Sequence, residues 1–68
     1  MTAEEWIAAY AEALGLPAPA DEDMQAMLRL ASVAAHASER RAAPIACWLA
    51  ASAGVPLAEA RAIAERIG

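Results

Sequence analysis

Lysine and phenylalanine are absent from this 68-residue chain, and cysteine and histidine occur once each. A lone Cys47 closes no internal disulfide, and one cysteine with one histidine falls short of the three or four convergent ligands that a zinc site needs. No metal and no cofactor is therefore expected. The only cations are five arginines, against nine carboxylates, for a net charge of -4. Nucleic acid is an unsuitable partner for such a chain, because binding it requires clustered cations that displace condensed counterions. Gly15, Gly54 and Gly68 stand singly, so no glycine-rich loop is present to cradle a phosphate. The longest charge-free stretch, Ala42 to Ala58, is interrupted by Pro44, Gly54 and Pro56 and is shorter than the ~20 apolar residues of a membrane span. Met1-Thr2-Ala3-Glu4-Glu5 is acidic where a secretory signal is basic, which predicts a cytoplasmic protein.

What the chain does have is alanine, 22 residues of it within an apolar fraction of 60%. Alanine is the best helix former, and the expected fold is all-α: one compact four-helix domain over residues 1–68, with a central, mostly buried second helix. Thr2-Ala3-Glu4-Glu5 fits a capping box and starts a helix over 3–14, with Trp6, Ile7, Tyr10, Ala13 and Leu14 as its inner stripe. Gly15-Leu16-Pro17 ends it: a residue suited to left-handed backbone, an apolar side chain to fold back, then a proline. Asp21 is the expected cap of a second helix over 21–40, apolar on most sides, whose single polar stripe runs through Gln25, Arg29, Ser32, His36 and Arg40. Pro44 suits the first turn of a third helix over 44–53, with Ala43 held out of helical geometry. Gly54-Val55-Pro56 repeats the stop signal, and a fourth helix over 56–67 follows with Leu57, Ala60, Ile63, Ala64 and Ile67 inside.

No catalytic residues stand out. Ser32, Ser38 and Ser52 show neither a nucleophile elbow nor a base partner, and the carboxylates are unpaired. The chain reads as a non-enzyme. Trp6, Trp48, Met24 and Met27 fall on apolar helix sides and are expected in the core. His36 lies on the polar stripe near the end of its helix, where an imidazolium complements the helix dipole. His36 and Arg40, four residues apart, share one side of the second helix in this reading. Arg29, Arg40 and Arg41 would gather with them near Pro44, a surface for an acidic or phosphorylated group. The candidate contact residues for a partner or an anion are thus Arg29, His36, Arg40, Arg41, Pro44 and Trp48. Four short helices with this much apolar surface predict a protein partner or a homodimer.

The ordered set Trp6, Leu14-Gly15-Leu16, Leu28, Leu30, Ala31, Ala35-His36, Arg40, Ala42-Ala43-Pro44 and Leu49 resembles a small bacterial helical domain of unknown function. That domain occurs alone or as a C-terminal extension of molybdenum cofactor guanylyltransferases. The resemblance covers nearly the whole chain and implies a role near molybdopterin guanine dinucleotide synthesis, without nucleotidyl-transfer residues. Arg41 departs from the family's Arg-Pro-Ala-Ala-Pro run, and Trp48 replaces a smaller aromatic. The resemblance thus implies an accessory interaction module, and the residues alone leave open a homo-oligomeric scaffold or a small anionic-ligand binder.

Overall fold

The computed structural model describes residues 1–68 and contains four helices: α1 (Ala3–Ala13), α2 (Asp21–Ala37), α3 (Ala42–Ala53) and α4 (Leu57–Ile67). They make up 75% of the chain, with no strand, so the fold is all-α. Both ends of α1 are closed by the signals read from the sequence. The Glu5 N–H donates to the Thr2 hydroxyl at 3.1 Å, and the Thr2 N–H donates to the Glu5 carboxylate at 2.7 Å. That backbone N–H, with the Thr2 side chain, holds the Glu5 carboxyl below its usual range. At the other end Gly15 takes φ 77. The Gly15 N–H then donates to Glu12 and the Leu16 N–H to Ala11, the bond pair that satisfies the last carbonyls of a helix. Gly54, at φ 72, closes α3 in the same left-handed geometry.

The α2–α3 junction differs from the expectation. α2 stops at Ala37, where Ser38 leaves helical geometry, and α3 starts at Ala42. The Ala42 N–H donates to the Glu39 carbonyl and the Ala43 N–H to that of Arg40, so residues 39–41 form the turn that feeds α3. Pro44 is then the third residue of α3, and Ala43 is helical. Proline costs little there, because the first four N–H groups of a helix lack intrahelical partners anyway. At the start of α2, Ala20 occupies the cap position and gives no side-chain bond. Asp21, Glu22 and Asp23 instead fill the first turn, where the helix dipole favours anions.

α2 is the central helix of this compact domain and packs against both α3 and α4. The core is one leucine between alanines: Leu30, 2% exposed, meets Ala50 of α3 and Ala60 of α4, with Met27, Cys47, Val55 and Ala64 half-buried around them. Small residues let the helices approach closely, and bulky ones are turned away. Trp6 and Trp48, expected inside, are 56% and 67% exposed. α3 turns Ala46, Cys47 and Ala50 toward the domain, and a tryptophan in that row would hold α2 and α3 apart. α1 packs little on the other helices. Of the expected stripe only Ile7 turns inward, joined by Ala11, while Tyr10, Ala13 and Leu14 are exposed like Trp6.

Burial of this kind predicts a sharp contrast in stability. Leu30→Ala is expected to cost about 2–5 kcal/mol, the range for deleting a buried leucine. Trp48→Ala, at an exposed position, is expected to cost under ~1 kcal/mol. Urea unfolding followed by circular dichroism measures both, and equal losses would contradict this core.

Candidate protein-docking site

The turn after α2 and the first two turns of α3 present the densest group of expected contact residues. Arg41, Pro44 and Ile45, with Ser38, Glu39 and Ala42, line an open hollow at the junction. Trp48 lies one turn beyond Pro44 and Ile45 on the same exposed side of α3. Ile45 is 59% exposed and Trp48 67%, so an apolar patch rises beside the hollow. Its polar edge is the ion pair between Arg41 Nε and Glu39 Oε1 at 3.0 Å, both side chains largely in water. A pair so exposed adds little stability. Arg41 is therefore free to exchange Glu39 for a carboxylate or phosphate on a partner at small cost.

The other expected residues are not gathered here. Because α2 ends at Ala37, Arg40 leaves the helix before it can share a face with His36. His36 instead lines a cleft between α2 and α4 with Ser32, Val33, Ala64 and Glu65. Ser32 Oγ and His36 Nδ1 are 3.1 Å apart, so Ser32 does have the base-type neighbour that the sequence reading denied it. The signal was the four-residue spacing along the polar stripe. Both residues are exposed on a single helix, in full contact with water, and the nearby Glu65 faces Arg61 at 3.7 Å. Arg29 stands about two turns before the end of α2, away from Arg40 and Arg41. No three His, Cys, Asp or Glu side chains converge as a metal-binding group, and no helix is long and apolar enough to cross a membrane.

One aromatic feature escaped the sequence reading. Trp6 and Tyr10 stack with ring centroids 5.1 Å apart and an interplanar angle of 25°, on the outer side of α1. Their four-residue spacing signals a shared face, and only the sparse packing of α1 decides that this face points outward.

Cys47 sits on the inner side of α3, half-buried, with its sulfur 3.9 Å from the Met27 carbonyl. Burial pushes its thiol pKa up, so the thiolate that reacts with alkylating reagents is scarce at neutral pH. The folded state favours the neutral thiol. Stability is thus retained below the ordinary thiol range and declines as pH rises through it. Iodoacetamide modification followed by mass spectrometry is expected to be slower for the native chain than for the urea-unfolded chain at pH 7.5. Equal rates would contradict this placement of the thiol.

No curated protein and no solved structure matches the sequence. One family model does, and it spans residues 1–67. With Trp6 and the Leu14-Gly15-Leu16 turn at one end and the apolar stripe of α4 at the other, all four helices fall inside that match. The chain belongs to the family described as Domain of unknown function (DUF6457).

Proposed function

We propose that this domain is a non-catalytic interaction module that docks onto a protein of molybdenum cofactor maturation in the bacterial cytoplasm. The observation that carries the docking reading is Trp48, the largest side chain of α3. It is 67% exposed, one helical turn beyond Pro44 and Ile45, which line an open hollow with Arg41 and Glu39. An exposed tryptophan in an apolar patch with a charged edge has the anatomy of an interface anchor, where Trp and Arg dominate binding energy. The choice of pathway rests on the sequence resemblance to the domain that extends molybdenum cofactor guanylyltransferases, and it directs where the partner is sought. His36 and Arg41 line different hollows, which gives an anionic small-molecule reading less support than docking.

Trp48→Ala is expected to weaken capture of the partner by at least tenfold, about 1.4 kcal/mol, while the helical signal and urea midpoint stay close to wild type. Quantitative pull-down from a lysate that contains the cofactor-maturation proteins, read by mass spectrometry, makes the comparison. Failure to recover any such protein, together with unchanged molybdoenzyme activity in a deletion strain, would overturn the proposal.

A further inference from the structure

A second apolar surface lies between α3 and α4. These two helices both pack on α2 but scarcely on one another, and they leave a trough between them. Leu30 and Val33 of α2 form its floor, Ala46 and Leu49 of α3 one wall, and Ala64 and Ile67 of α4 the other. Two adjoining hollows of about 280 and 310 Å³ share those four wall residues, so the trough is continuous. In shape it is a helical bundle with one helix missing. Each wall is a helix of 11 or 12 residues, roughly 17 Å long at 1.5 Å per residue.

The same chain carries an unpartnered helix of the matching length. α1 has 11 residues and presents Trp6, Tyr10 and Leu14, at four-residue steps, with each side chain more than half exposed. Its own Ile7 lies near Met24 and Leu57, at the opposite end of α2 from Val33 and the trough's open mouth. Pro17 and Pro19 stiffen the connector that holds it there. We infer that α1 of one copy fills the α3–α4 trough of a second copy, and that the exchange is reciprocal. A reciprocal exchange closes on a two-fold axis and leaves no further copy to recruit.

Area favours a second copy as the occupant. The accessible surface is 5248 Å² for 7.0 kDa, whereas a smooth globular monomer of that mass exposes about 4,000 Å². The surplus of about 1,200 Å² exceeds the ~800 Å² that each partner contributes to a standard interface. Stacked Trp6 and Tyr10 supply the bulk that an alanine-lined trough lacks.

Sedimentation equilibrium of the full chain at 5–200 µM, paired with cysteine crosslinking on a Cys47→Ser background, tests this pairing. A dimer is expected. Trp6→Ala with Tyr10→Ala, or Leu49→Glu alone, is expected to weaken it at least tenfold with the helical signal retained. On mixing, a Tyr10→Cys chain and a Leu49→Cys chain should form a mixed disulfide in preference to either like pair. A monomer across the range would overturn the inference, as would a dimer indifferent to the α1 variants. So would an intrachain disulfide in the chain carrying both cysteines, since it would place α1 over its own trough. The trough shares Ser38, Ala42 and Ile45 with the hollow near Trp48, but Trp48 itself lines neither part of the trough: Trp48→Ala is expected to leave the dimer intact, so the failure of one proposal is distinguishable from the failure of the other.

Discussion

The whole domain hangs on a single large side chain wedged between small ones. Leu30 projects from α2 into the angle between α3 and α4, where Ala50 and Ala60 meet it, and those three residues form the buried cluster. Alanine makes helices readily but contributes little apolar area when it is buried. A chain built from it obtains well-formed helices and a thin core. Burying a leucine contributes on the order of 1.5–3 kcal/mol, so no other contact in the domain matches this one. The approach of α3 and α4 to α2 depends on the small residues around it.

From that constraint follows the distribution of the remaining apolar groups. Close approach through alanine faces leaves no room for Trp48 or Leu49 between helices, whereas Trp6 and Tyr10 stand on the sparsely packed α1, and all four are more than half exposed. They gather into three surfaces with different chemistry, two of which adjoin at Ile45. The α3 face around Trp48 has a charged edge suited to a soluble protein partner. The α3–α4 trough is apolar but for Ser38 at one end and is as long as a short helix. The stripe on α1 is the only long exposed row of bulky apolar side chains opposite an acidic face. Exposed apolar area of this extent marks interaction surfaces in soluble proteins, and here the excess is built into the composition.

Local signals in the sequence were sufficient for the helices. The Thr2 capping box, the glycines at 15 and 54 and the prolines that follow them act through backbone geometry within a few residues, and each operates where the sequence places it. The packing faces were less legible. Periodicity shows that Trp6, Ile7, Tyr10 and Leu14 are apolar and near one another, but every stripe on an alanine-rich helix is apolar enough to face inward. Which one does so depends on which lets the helices come closest, a property of pairs of helices. The junction fell between these cases. Pro44 was rightly read as belonging to a first turn, yet the helix begins two residues before it, and that shift separates His36 from Arg40 and disperses the expected cation cluster.

In the pairing we propose, a second copy completes a fold in which only Ala11, Leu30, Ala50 and Ala60 are buried within one chain. Urea unfolding over a hundredfold range of protein concentration tests it most directly, since the midpoint of a dimer rises with concentration and that of a monomer does not. For the proposed dimer the midpoint is expected to climb steadily from micromolar to hundreds of micromolar. A single two-state transition with the same midpoint throughout would contradict it.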